Sequence, residues 1–360
     1  MAYDGIQNGG RVTQFGESRI HAYVVDNVLN STTLWSRFQG MGKQFLGPTM
    51  KFTIKITDSK LGQFYNGMET FSSAASNTTI QLEYAQTAFE QQVVNIMLER
   101  FANQGSLDEI NLNDYKVDEA ISELRSRLGT AIYQDGTGKQ PNGLSILVAS
   151  SGTIGGQSRA TYTQLNSTVT AASSSKLSLA QMDTLHDAIT DTGEDEQPTI
   201  GVTDFATWTY YTQLLQPAVR ASYEAVGYDR LPVRGKEVVK QADLRGGAGF
   251  TVVTYRGMPI IKDKACTAGS LYFLNENYLF WLGRTEVPSE FSPFLEKVTL
   301  GTPDTIEGQS AMPGESHGVF WQKEQMMPNQ AGMIGRYHVI GQMVVTQPRR
   351  QGVLTGVTGI

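Results

Sequence analysis

Between residues 51 and 85 the chain alternates apolar and polar side chains in two separate stretches, and no other feature constrains the fold as much. Phe52, Ile54 and Ile56 alternate with Lys51, Thr53, Lys55 and Thr57; later Ile80, Leu82 and Tyr84 alternate with Gln81 and Glu83. A period of two with β-branched residues marks a half-buried strand. About twenty residues separate the two stretches, among them Gly62, Gly67, Ser72-Ser73 and Ser76-Asn77, against a usual loop length of roughly 12–15 residues at most. The segment therefore reads as a long hairpin with a broad polar tip. A lone hairpin is marginally stable in water, so it is expected to rest on something outside its own lobe. The plainer alternative is a flexible insertion.

Other elements follow from periodicity and caps. Residues 1–45 are irregular and read as an extended arm, with Val24-Val25, Val28-Leu29 and Leu34-Trp35 as a short amphipathic turn. Val117, Ile121, Leu124, Leu128 and Ile132 recur at helical spacing, which predicts a helix over about 114–133 capped by Asn113 or Asp114. Glu123 and Arg127 stand at i,i+4 in the favoured order, and Asp135-Gly136-Thr137-Gly138 ends the helix. Residues 149–176 read as loops with short strands. Ser178 and Gln181 fit a capping box ahead of Leu179, Met182, Leu185 and Ile189. A strand over Thr199 to Val202 leads to a helix capped by Asp204 and carrying Trp208, Tyr211 and Leu214-Leu215. Phe250 to Tyr255, Leu271 to Leu274 and Tyr278 to Leu282 read as strands, with a turn at Gly257-Met258-Pro259. The last eighty residues read as short strands, His338 to Thr346 among them.

At roughly 150 residues per domain, 360 residues make two or three lobes. Charged residues are 18% of the chain, below the usual ~25%, and Gln, Asn, Ser and Thr replace them. Protein interfaces are depleted in charge, so this balance fits extensive contacts as well as it fits a merely polar surface. The net charge is −6 and the densest basic pair is Arg349-Arg350, which argues against a sequence-specific DNA reader but not against a wall around DNA. Cys266 is the sole cysteine and fits a reducing compartment. The first residues lack a basic start and an apolar stretch, so no signal peptide is expected. Apolar runs fall short of the ~20 residues of a membrane span. The expectation is a soluble protein made in a cytoplasm.

Fragments that mimic catalytic motifs fail on context. Gly314-Glu315-Ser316-His317-Gly318 has the spacing of a nucleophile elbow, but Pro313 and a polar stretch precede it, and only Glu324 and His338 follow as acid and histidine. Gly136-Thr137-Gly138-Lys139 leaves a helix, whereas a phosphate loop enters one. Gly246-Gly247-Ala248-Gly249 lacks the third glycine of a dinucleotide site and reads as a hairpin turn. His21, His186, His317 and His338 are scattered singly, without a zinc ligand set. Glu194-Asp195-Glu196, beside Asp191, lacks calcium-loop spacing and reads as a solvated loop. Lys262 and Lys264 flank Cys266 and could lower its pKa, but an unpaired thiol with no placed base reads as inert. No catalytic, cofactor-binding or metal residue is assigned, and no enzyme is expected.

The order of parts carries a resemblance. Arm, long hairpin, long amphipathic helix, α+β lobe and closing β-region resemble the Hong Kong 97-type fold of tailed-bacteriophage major capsid proteins. So do the helix exit Tyr133-Gln134-Asp135-Gly136-Thr137-Gly138 and the segment Leu177 to Leu215. Gly257-Met258-Pro259-Ile260-Ile261, Leu271-Tyr272-Phe273-Leu274-Asn275 and Gln347-Pro348-Arg349-Arg350-Gln351-Gly352 are similar to the family's return and C-terminal strands. The resemblance implies an α+β fold divided into an N-terminal arm (1–50), an E-loop hairpin (51–85), a P-domain (86–143) with a spine helix at about 114–133, an A-domain (144–260), and a return through A- and P-domain strands (261–360). It implies a major capsid subunit of an icosahedral phage head, self-assembling as pentamers and hexamers around double-stranded DNA that it binds without sequence specificity. Only about fifty residues precede the hairpin, which implies a separate scaffolding protein; a portal protein and a decoration protein are further partners, and no membrane is one. Candidate inter-subunit contacts are Lys51, Lys55, Tyr65, Phe71, Trp35, Arg125, Arg349 and Arg350. Lys51, Lys55 and Lys60 do not by themselves carry over the covalent crosslink of the family's founder. The alternatives are an encapsulin-like nanocompartment shell, a phage decoration or tail-tube protein, and an enzyme of unknown type.

Overall fold

The computed structural model describes residues 33–40, 43–57, 64, 66–68, 77–102, 112–192, 196–223, 253–287, 291, 293–297 and 318–359. The helices are α1 (Thr33–Gly40), α2 (Met97–Ala102), α3 (Leu112–Ala131), α4 (Leu144–Leu147), α5 (Leu179–Thr192) and α6 (Phe205–Tyr223). The first strands are β1 (Lys43–Gln44), β2 (Thr49–Lys55), β3 (Thr79–Ala85), β4 (Thr87–Ile96), β5 (Thr153–Ile154), β6 (Gln157–Ser158), β7 (Thr168–Ala171) and β8 (Ile200–Thr203). They are followed by β9 (Val253–Tyr255), β10 (Met258–Lys262), β11 (Leu271–Leu274), β12 (Leu279–Gly283), β13 (Leu295–Lys297), β14 (Val319–Met326), β15 (Gly332–Val345) and β16 (Gly352–Thr355). Helices and sheets alternate without a repeating βαβ pattern, giving the expected α+β class.

Two six-stranded sheets organise the molecule. The first has the order β1-β12-β15-β14-β13, with β4 along the other edge of β15. The second has the order β7-β16-β11-β8-β10-β9. Its strands β8 and β11 are buried at every position because both faces are covered, as in sheets flanked on two sides. Ile260, Leu271, Phe273 and Leu354 face the cluster built with α5 and α6. Ile200, Val202, Ile261, Tyr272 and Val353 join the larger cluster with α1, α3 and α4.

The hairpin is the β2–β3 pair, in register from Thr49↔Ala85 to Lys55↔Thr79. Its tip over 58–63, 65 and 69–76, with Lys60, Tyr65 and Phe71, lies outside the described residues, as do residues 1–32 with His21. The base departs from expectation: it is seated on the chain's own core. Leu82 and Tyr84 are buried and Met50, Phe52, Ile54 and Ile80 pack beside them. Tyr84 Oη donates to the Val345 carbonyl at 2.8 Å, and the Glu83 amide donates to the Gly155 carbonyl at 2.9 Å. A Cβ on Gly155 would stand 2.7 Å from Leu82 Cβ, and its φ is +53°, so this approach needs glycine.

Helix α3 keeps the expected face: Leu124, Leu128 and Ile132 are buried, and Glu123 pairs with Arg127 at 2.9 Å. It begins at Leu112, so Asn113 and Asp114 lie inside the helix and not at its cap. The capping box is present, with Ser178 N to Gln181 Oε1 at 3.2 Å and Gln181 N to Ser178 Oγ at 3.3 Å. Asp204 Oδ2 accepts from the amides of Ala206 and Thr207. Leu179, expected on the buried face of α5, is exposed, while Met182, Leu185 and Ile189 are buried.

Four expectations are corrected. The end of the supposed arm is α1, which places Trp35 edge-on to Trp281 at 4.9 Å in the core. Residues 87–96, given no element from sequence, form the ten-residue strand β4 along β15; Gln91 and Asn95 break its apolar alternation. Strand β15 is 14 residues long and begins at Gly332, well before His338. The turn expected at Gly257-Met258-Pro259 is instead Arg256-Gly257, with Met258 already in β10.

Candidate functional site

The first sheet shows different faces to its two sides. Towards α3 it presents Phe89, Val93, Val339 and Tyr337, which pack against Val117, Ile121 and Leu124. Side chains alternate along a strand, so the opposite face carries Glu90, Val94, Ile96 and Arg336. Arg336 Nε pairs there with Glu90 at 2.8 Å, and Val94 and Ile96 are exposed. Helix α2 follows directly and turns Leu98 (71% exposed) and Phe101 (61%) outward beside Met97, while Met326 is exposed on β14. The end of this sheet is therefore an apolar surface left exposed among the described residues. Exposed apolar patches of this kind mark contact sites. Its geometry is fixed from behind: Lys116 Nζ reaches Glu99 at 2.5 Å and the Val94 carbonyl at 3.0 Å, and Gln91 Nε2 donates to Glu123 at 2.8 Å. The sequence signal was Met97-Leu98 with Phe101 in a polar stretch, too short to register as a period.

The candidate contact residues fall in different places. Lys51 is exposed on β2 and stands 3.6 Å from Glu83. Lys55, Arg349 and Arg350 come together around a cavity of about 120 Å³ that Ile54 and Gln164 also line. Arg350 is committed within the chain, paired with Glu196 and with its guanidinium 4.5 Å from the Tyr278 ring. That pairing also means Glu196 is not the freely solvated residue expected of its loop; Glu194 and Asp195 lie outside the described residues. Arg125 is half-buried on α3, and burial lowers its pKa despite Asp118 nearby. Trp35 is 1% exposed and so offers no surface to a neighbour. Its apolar bulk is covered by the chain itself.

Arg159 was missed. It is fully buried and donates to the carbonyls of Leu165, Ile146, Ser151 and Leu147. Burial brings its pKa down to about 10. One guanidinium thus gathers the 146–165 excursion that seats the hairpin base, because its five N–H donors match a ring of carbonyls.

The cysteine and the described histidines stand apart from one another. Cys266 is buried, and desolvation raises its pKa despite the flanking lysines, in keeping with an inert thiol. His186 and His338 lie on different elements; Ser316, His317 and the glycines at 246, 247 and 249 are outside the described residues. Among the described residues no group of three or more His, Cys, Asp or Glu is placed to hold a metal ion. No described helix is long and apolar enough to cross a membrane.

No sequence-family model and no curated protein matches the chain. Solved structures match along its whole length. The Cyanophage A-1(L) capsid asymmetric unit is similar at 14% identity and TM-score 0.65, over 96% of this chain and 98% of that one. The capsid of a native GTA particle is similar at 9% identity and TM-score 0.55, over 99% and 100%. The SrpI encapsulin of Synechococcus elongatus PCC 7942 is similar at 11% identity and TM-score 0.53, over 99% and 96%. With nearly the entire length of each chain aligned, the fold is the one these phage capsid, GTA capsid and encapsulin subunits share.

Proposed function

We propose that this chain is the major capsid subunit of a tailed bacteriophage, a structural protein and not a catalyst. The observation that carries the reading is the end-to-end likeness to the Cyanophage A-1(L) capsid, with nothing large left over in either chain. The uncovered apolar end of the first sheet supports it, because a subunit surrounded by copies of itself needs such surfaces. Obligate interfaces bury roughly 2,000–5,000 Å².

In this reading residues 51–85 lie over a neighbour as the E-loop, α3 is the spine of a P-domain spanning 86–143, 144–260 is the A-domain, and 261–360 returns through A-domain and P-domain strands. Lys51, Lys55, Tyr65, Phe71, Arg125 and Arg349 are contact candidates, and Leu98 and Phe101 join them. Partners are copies of the chain in pentamers and hexamers of an icosahedral head, a separate scaffolding protein, a portal protein, a decoration protein and packaged double-stranded DNA. The subunit is made in the host cytoplasm and ends in the virion. An encapsulin shell is the second reading, favoured by the likeness to the Synechococcus protein; nucleic acid in particles purified from infected cells separates the two.

Deleting residues 60–76 tests the assembly claim. The expected outcome is a folded subunit that electron microscopy finds unassembled under conditions where the intact chain forms shells. Normal shells from the deletion would refute the role of the hairpin.

A further inference from the structure

Among the described strands β9 is the outer edge of the second sheet and pairs with β10. The Tyr211 hydroxyl on α6 donates to the Thr254 carbonyl at 3.1 Å, and a cluster on α5 provides a further hold. Tyr255 Oη donates to Asp183, Arg256 Nη2 stands 2.8 Å from Asp183, and Arg256 Nη1 pairs with Asp187. Arg256 has a φ of +48° and Gly257 one of +83°, as a tight two-residue hairpin turn requires, and the ion pairs tie that turn to α5.

His186 lies beneath them, 3% exposed, edge-on to the rings of Tyr255 at 6.1 Å and Phe273 at 6.4 Å. Its Nδ1 stands 3.3 Å from Arg256 Nη1 and 3.6 Å from Asp187, and its Nε2 is buried without a partner. A guanidinium only donates, so the contact with Arg256 is a hydrogen bond in the neutral tautomer that carries its proton on Nε2 and leaves Nδ1 to accept. A solvent proton added at Nδ1 removes that acceptor, sets a second cation against Arg256 and gives Asp187 a competing donor.

We propose that His186, Arg256 and Asp187 form an acid-sensitive clasp in which protonation of His186 draws Asp187 away from Arg256 and frees the β9–β10 edge.

Asp183, on α5 with His186, also holds Arg256 and Tyr255 and favours the charged imidazole. Strands β7 and β16, packed on α5, carry no charged residue. The 348–350 turn brings Arg349 and Arg350 to α5, and Arg350 is held by Glu196. Burial first, and Arg256 second, keep the His186 pKa below its ordinary value. The stabilisation is therefore present above the unfolded value of about 6.5 and is lost as pH falls through the folded one. Asp187, held down by Arg256, stays ionised in that window. The clasp belongs to the single subunit and does not depend on its place in a shell.

Amide hydrogen exchange of the purified protein, corrected for intrinsic rates, tests it at about pH 7.5 and about pH 5.5, either side of the ordinary histidine value. Peptides covering 253–262 should lose about tenfold of their protection at the lower pH while 271–274 keep theirs, and His186→Gln should hold 253–262 equally protected at both. No loss in the wild type, or an equal loss in a folded His186→Gln protein, overturns the proposal. If that variant does not fold, C2-proton exchange of His186 in the wild type decides. A titration midpoint that coincides with the loss of protection supports the clasp, and a midpoint displaced from it sinks it.

Discussion

The two six-stranded sheets solve the burial problem in opposite ways. The sheet containing β8 and β11 is covered on both faces, by α5 and α6 on one side and by the core shared with α1, α3 and α4 on the other. The sheet containing β4 and β15 buries one face on α3 and ends in exposed Val94, Ile96, Leu98 and Phe101. The first is complete within one chain. The second leaves one end exposed among the described residues, so the described burial is concentrated in one region and the exposed apolar surface in the other.

Substitutions can break that contrast, beginning with the largest effect. Phe273→Ala, at a fully buried position of the covered sheet, should cost about 3–5 kcal/mol in chemical unfolding; a loss under about 1 kcal/mol would mean that the sheet is not close-packed. Arg159→Met should cost about 3 kcal/mol, because four carbonyls lose their donor at once. Its urea midpoint should fall, and the hairpin base at 79–85 should exchange faster. Asp204→Ala, which strips the α6 cap, should cost about 1 kcal/mol, measured the same way. The smallest effect on stability should come from Leu98→Ser combined with Phe101→Ser, within about 0.5 kcal/mol of the parent. That pair should nonetheless remove assembled particles in sedimentation, and full assembly would show that the open end of the sheet needs no partner.

Local signals were legible wherever neighbours in sequence decide the structure. The α3 face, the capping box at Ser178 and Gln181, the Asp204 cap and the alternation of the two hairpin strands depend on residues a few positions apart. The contact surface was less legible. Trp35 reads as an arm residue until Trp281 is seen against it. Strand β4 has Gln91 and Asn95 at inward positions because Glu123 and Glu324 meet them there, and no spacing rule contains those partners.

The sequence by itself determined the class of the fold, the hairpin, the long helix and the order of the parts, because periodicity and capping are properties of short windows. Only the tertiary structure decided that β15 pairs with β4 across about 245 residues of chain, that the hairpin base rests on the chain's own core, and that Leu98 and Phe101 are left uncovered. Those outcomes depend on which distant surfaces meet and bury each other, and a surface with no partner in the chain becomes visible only when all the others have found theirs.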